Sequence, residues 1–141
     1  MPTREEKMVF EIEEQWDFTV VALSVRDSTS NEVIGQAIAE IHYDMVYLRS
    51  IGVSRLCREK GIGSALMARI EQLCEREGKY GVLKKQISVA DVRSKMYENR
   101  GWKKTSQPHW LQYIPTTSIP TPLGKSFLTR IIEINSTGGI I

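Results

Sequence analysis

The sequence predicts a mixed α/β fold: a mainly antiparallel central sheet flanked by helices, in the order, roughly, α-β-β-β-α-β-α-β-β. Two observations carry this expectation. Between Phe18 and Val53, three segments suited to strands follow one another through short connections, which is the pattern of an antiparallel meander. From Ile62 onward the apolar residues recur every three or four positions, so a helix follows the sheet-forming segments.

Taken in order, Met8, Ile12 and Trp16 recur every four residues and predict a short amphipathic helix over 4–16. Phe18–Val25 (FTVVALSV) is rich in β-branched residues and predicts a buried strand. RDSTSNE supplies turn residues, and Val33–Tyr43 forms the second strand. On that strand Gly35, Ala37, Ala39, Ile41 and Tyr43 share one face, while Gln36, Glu40 and His42 share the other. Met45–Val53 is the third strand, reached through a tight link at Asp44. Ile62, Leu66, Ile70 and Leu73 then draw one apolar stripe on a helix that Gly78 ends. Tyr80–Val89 returns to strand, and DVRSKMYENRGW predicts a short helix with Asp91 as N-cap and Gly101 just past its end. A proline-rich loop is expected over 107–124, with an edge strand near GWKKT before it and a last strand over Lys125–Ile134. The expected organisation is one domain over 1–141, its motif-bearing core spanning 18–104.

Composition narrows the function classes. The chain of 141 residues is long enough for one core, and its 41% hydrophobic and 26% charged residues are ordinary for a globular protein. A net charge of +2 argues against nucleic acid or an anionic membrane as the main partner. No apolar run approaches the ~20 residues that cross a bilayer, and the charged N-terminus lacks the apolar core of a secretory signal. Cys57 and Cys74 match no metal-ligand spacing and make no disulfide framework, so no metal and a reduced, cytoplasmic setting are expected.

The chemistry-bearing stretch is REKGIGSALMARIEQL, Arg58–Leu73. Two glycines one residue apart, just before a helix, cost backbone entropy and so call for a reason. A dinucleotide fingerprint fails, because its third small residue falls on Leu66. A phosphate loop at TPLGKS fails too, because its first glycine would be Ile119. What remains is R-x-x-G-x-G at Arg58–Gly63. The unpaired N–H groups and positive end of a helix start make an anion site there, with Arg58 and Lys60 adding charge. A glycine turn that merely packs the helix on the sheet fits the same residues equally well.

Four stretches together resemble the GNAT superfamily of acyl-CoA-dependent N-acyltransferases. LRSIGV is similar to its central strand, and RLCREKGIG, with Arg58 five residues after Val53, to its pyrophosphate loop. SALMARIEQLCEREG is similar to the helix behind that loop. SKMYENRGWKK matches the family's Tyr-Glu-Lys-x-Gly-Phe ending at Tyr97, Glu98, Gly101 and Trp102. The chain departs from the pattern at Ala90, where the family usually has asparagine, and in a short N-terminal region.

The resemblance implies acetyl-CoA as co-substrate, a primary amine as acceptor, and direct attack in a ternary complex. It implies that the backbone of Ile51, Gly52 and Val53 holds the pantetheine arm. Arg58, Glu59, Lys60, Gly61, Ile62, Gly63 and Ser64 would hold the pyrophosphate, and the Val53 N–H would face the oxyanion. Tyr97 is expected to protonate the leaving thiolate. Glu40, or His42, is the side chain placed to take the acceptor's proton, with a water relay or a purely solvated role as alternatives. The runner-up is a CoA-binding module without catalysis. The last strand could pair across a homodimer.

Overall fold

A computed structural model describes residues 10–57, 61–84 and 91–116, the side chains of 91–94 excepted. Its strands are β1 (Ile12–Asp17), β2 (Val20–Arg26), β3 (Val33–Ile41), β4 (Met45–Val53), β5 (Tyr80–Lys84), β6 (Lys103–Lys104) and β7 (Trp110–Tyr113). Its helices are α1 (Ile62–Glu77) and α2 (Asp91–Asn99), and a 3₁₀ turn, Arg55–Cys57, leads from β4 toward α1. The strands form one sheet in the order β1-β2-β3-β4-β5-β7-β6. Every neighbouring pair is antiparallel except β4 and β5, which α1 joins as a crossover. This is the mixed, mainly antiparallel sheet that the sequence predicts.

The core lies between the sheet and α1. Val21, Leu23 and Val25 alternate inward along β2 and are fully buried. The α1 stripe of Ile62, Leu66, Ile70 and Leu73, joined by Met67 and Cys74, meets them from above. Each fully buried aliphatic side chain of this kind contributes roughly 1.5–3 kcal/mol. Small residues let the helix settle: a Cβ on Gly35 would stand 2.6 Å from Ile62 Cγ2. Gly78 ends α1 at φ 66°, with its N–H on the Glu75 carbonyl and that of Lys79 on the Cys74 carbonyl.

Three expectations change. Ile12–Asp17 is a strand paired to β2, not the end of a helix. A spacing of four fits a strand as well, and Ile12, Glu14 and Trp16 share the face toward α1. There Glu14 meets Arg69 at 2.6 Å and Arg76 lies over the Trp16 ring. Residues 4–9 of the expected helix lie outside the described residues. Within the expected proline-rich loop, Trp110–Tyr113 is a strand between β5 and β6, because its apolar residues pair with Gly81–Lys84. Finally, α2 begins at Asp91 itself. The second half of the Tyr80–Val89 strand and the strand over 125–134, with its dimer edge, lie outside the described residues. Among the described residues no helix is long and apolar enough to cross a membrane.

Candidate active site

The site begins with an irregularity in β4. Ile38 pairs with Ser50 and Ala39 with Leu48, so Arg49 is an extra residue and β4 carries a bulge. On the other edge, the parallel ladder to β5 runs from Met45↔Tyr80 to Leu48↔Leu83 and ends there. Bulge and ladder end coincide, so Arg49–Val53 continue past the last β5 pair. Among the described residues the β4–β5 pairing stops at this level, leaving a gap in the ladder.

The backbone of that stretch has a defined direction. Gly35 pairs with Val53, and the Ser54 N–H donates to the Ile34 carbonyl. In an antiparallel ladder this makes Gly35–Val53 and Ala37–Ile51 the pairs that exchange no bonds. The N–H and C=O groups of Ile51 and Val53 therefore point away from β3, toward the gap.

The start of α1 adjoins the end of β4. Gly61 is the N-cap, in the left-handed region at φ 85°, with no side-chain cap. The first intrahelical bond runs from the Ala65 N–H to the Gly61 carbonyl. The N–H groups of Ile62, Gly63 and Ser64 precede it and have no acceptor within the helix. No acidic side chain occupies the first turn. The two kinds of glycine separate here. A Cβ on Gly81 would stand 2.9 Å from both Cys74 Sγ and Trp102 Cη2, so that glycine, like Gly35, serves packing. Among the described residues, a Cβ on Gly63 would meet only Val53 Cγ2, at an ordinary 3.8 Å, and one on Gly61 or Gly52 would meet nothing within 4 Å. Among the described residues, none presses on the space above Gly52, Gly61 and Gly63.

The structure puts Gly63 of α1 beside Val53 of β4, with Ile51 and Gly52 preceding Val53 on the strand, Gly61 and Ser64 flanking the helix start, and the Ile62 side chain buried at 1% exposed. Arg58, Glu59 and Lys60 lie outside the described residues, as does Ala90. Tyr97 stands on α2 and is 6% exposed, packed into the core cluster. Its place follows from the end of α2. Gly101, at φ 98°, donates its N–H to the Glu98 carbonyl, and the Trp102 N–H donates to that of Tyr97. Glu71 of α1 then accepts from Arg100 Nε and Nη2 at 2.9 and 2.8 Å and from Trp102 Nε1 at 2.9 Å. These bonds fix α2 against α1. Arg100 and Trp102 of the YENRGW segment, Tyr97–Trp102, make this clamp.

Glu40 lies on β3 opposite Tyr47, on the other side of the bulge from Ile51–Val53. Its carboxylate meets His42 Nε2 at 3.0 Å and Arg49 Nη1 at 3.3 Å. Sequence reasoning had no sign of this Arg49 partner, because its contact with Glu40 depends on the bulge. Burial pushes the Cys74 thiol well above its ordinary value, which makes it a core residue and not a nucleophile. Cys57 is half-buried in the 3₁₀ turn. Among the described residues no three His, Cys, Asp or Glu side chains gather to hold a metal ion.

Comparison with known proteins bears on this geometry. The model of the acetyltransferase (GNAT) family matches residues 2–102. Among solved structures, the chain is similar to the ribosomal-protein-S18-alanine N-acetyltransferase of Escherichia coli, at a TM-score of 0.59 and 16% identity, covering 78% of this chain and 75% of that one. It is also similar to a paiA N-acetyltransferase of Thermoplasma acidophilum in complex with coenzyme A, at a TM-score of 0.58 and 16% identity, over 68% of this chain and 61% of that one. A GNAT family acetyltransferase of Elizabethkingia anophelis with acetyl-CoA bound gives a TM-score of 0.58 at 14% identity, over 68% and 76% of the two chains. At these identities the likeness shows the fold. No curated protein matches the sequence.

Proposed function

Since the chain belongs to the acetyltransferase (GNAT) family, we propose that it transfers an acetyl group from acetyl-CoA to a primary amine by direct attack in a ternary complex. The observation that carries this is the open space above Gly61 and Gly63, beside first-turn N–H groups that lack helical acceptors. At Gly61 the backbone itself, at φ 85°, favours glycine; at Gly63 no such constraint applies and no described neighbour presses on the site, which suits an anion at the helix start.

In this proposal the N–H groups from Gly61 to Ser64 hold the pyrophosphate, with Arg58 and Lys60 adding charge and Glu59 lying between them. The pantetheine arm lies in the gap along β4, where Ile51 and Val53 turn their backbone groups toward it, and Gly52 leaves clearance. The Val53 N–H faces the oxyanion. The amine nitrogen bonds to the thioester carbon, the C–S bond breaks, and Tyr97 gives its proton to the thiolate. Glu40, with His42 bonded to it, takes the proton that the acceptor loses.

The second reading is a CoA-binding module without catalysis. What favours it is Glu40 itself, whose carboxylate Arg49 and His42 already engage. Thiol release from acetyl-CoA across a panel of amines decides between them. Amine-dependent release supports the transferase. Tight CoA binding with no release on any acceptor supports the module.

A further inference from the structure

The carboxylate of Glu71 reaches Tyr97 through two residues. It accepts from Arg100 Nε and Nη2 at 2.9 and 2.8 Å and from Trp102 Nε1 at 2.9 Å. Arg100 and Trp102 are also the residues whose backbone N–H groups donate to the Tyr97 carbonyl, each at 3.1 Å. One side chain of α1 therefore grips both residues that grip the main chain of Tyr97. A charge-assisted fork of this kind fixes orientation as well as distance. For stability alone an apolar contact would serve, because a part-buried ion pair adds little net free energy over one. What the carboxylate adds is a defined geometry.

Other contacts hold the Trp102 indole from further sides. It is 1% exposed, it packs against the Tyr113 ring with centroids 5.5 Å apart, and Gly81 of β5 leaves room for its edge. Tyr113 in turn donates its hydroxyl to Glu75 at 2.7 Å. Glu71 and Glu75 stand four residues apart on α1, a spacing at which like charges repel, and each is offset by donors from outside the helix. Tyr97 belongs to the same buried cluster as Trp102 and as Leu48 and Leu83, the last pair of the β4–β5 ladder. On one rigid rod, α1 thus carries the first turn that we assign to the pyrophosphate and, about 13 Å further along, the carboxylate that ties down Tyr97.

We propose that Glu71 is a positioning residue for the transfer: through Arg100 and Trp102 it sets where the Tyr97 hydroxyl stands relative to the sulfur of acetyl-CoA. The proposal rests on the acetyltransferase reading and on Tyr97 as the proton donor, and adds the residue that references the donor to the helix holding the cofactor. Glu71 itself touches no reacting atom. A donor displaced by about 1 Å is enough to slow the chemical step severely.

Glu71→Gln, which keeps the size and breaks the fork, should lower kcat by about tenfold, while the KM for acetyl-CoA and the calorimetric CoA affinity stay within about twofold of wild type. The double variant separates positioning from general damage. Made in Tyr97→Phe, Glu71→Gln should cost nothing more, whereas independent losses multiply. Arg100→Lys, which keeps the charge without the fork, should behave like Glu71→Gln and serves in its place if that variant unfolds. Wild-type kcat in a folded variant, or losses that multiply in the Tyr97→Phe background, overturns the proposal. A fully active Tyr97→Phe removes its premise and the proposal with it. If no amine turns over, the acetyltransferase reading fails by itself, and Tyr97 is followed directly in protein labelled with carbon-13 at the tyrosine Cζ. The resonance missing from Tyr97→Phe should then shift on adding CoA, and shift markedly less in Glu71→Gln. An equal shift in both proteins, or none in the wild type, overturns Glu71 as the tie between Tyr97 and the cofactor.

Discussion

At the scale of single residues, glycines with different jobs look alike in a sequence and separate only once their neighbours are known. Gly35 and Gly81 are small because Ile62, Cys74 and Trp102 press on them, whereas among the described residues Gly63 has room for a side chain that it lacks. Gly63→Val should therefore leave the thermal midpoint near the wild-type value while CoA affinity falls by about tenfold or more, since the branched side chain fills the anion's space. Calorimetry alongside thermal unfolding reads both; equal affinity in the folded variant would return Gly63 to packing. Tyr97 poses the converse problem, because a tyrosine 6% exposed in a core cluster could serve packing alone. Tyr97→Phe removes one oxygen and keeps the ring. If the hydroxyl protonates the thiolate, turnover should drop by roughly 10²-fold with CoA affinity retained. Equal losses in kcat and kcat/KM would place the interaction in the transition state. A fully active phenylalanine variant would remove Tyr97 from the mechanism.

At the scale of elements, β4, α1 and the end of α2 were legible because period, cap glycines and motif order agreed there. The loss came where a local signal admitted two readings. Ile12 and Trp16 suit a helix by their spacing, but β2 offers β1 a full ladder, and the ladder wins. Trp110–Tyr113 was hidden by its prolines, because its pairing with Gly81–Lys84 joins residues far apart in the chain. The bulge at Arg49 leaves no mark in composition. β1, at the edge of the sheet among the described residues, meets α1 through Glu14. The Trp16 indole N–H first, then Arg69, holds the Glu14 carboxyl below its ordinary value of 4.5. A lowered folded value means that the stabilisation is present above about 4.5 and lost as pH falls through the folded value. Glu14→Gln should thus lower the thermal midpoint at pH 6 by at most about 3 °C, the contact being partly solvated. The difference should shrink as pH falls below about 4.5. A difference unchanged at low pH would show that the side chain acts through packing and not through charge.

At the scale of the whole molecule, one crossover does two things. The β4–α1–β5 connection makes the one parallel pair among the described residues, and its last pair, Leu48↔Leu83, falls at the bulge at Arg49, ahead of Gly52 on the same strand. A ligand matching both features must be long, with an anionic end for α1 and an arm that can lie along a strand edge. That shape distinguishes acetyl-CoA from nucleotides, which offer the phosphates without the arm. Ligand that binds only the folded state at a hundred times its Kd adds about 2.7 kcal/mol. For a chain of this size, about 2–4 °C accompanies each kcal/mol, so CoA and acetyl-CoA should raise the thermal midpoint by roughly 5–10 °C. AMP and NAD at the same concentration should give a small fraction of that shift, because neither reaches the backbone of Ile51 and Val53. Pantetheine, which has the arm without the diphosphate, should also fall short. The shift with acetyl-CoA should collapse in Gly63→Val, whose fold is otherwise intact. If NAD stabilises the protein as strongly as acetyl-CoA does, the gap along β4 is not what selects the ligand, and the assignment of Ile51–Val53 to the pantetheine arm is wrong.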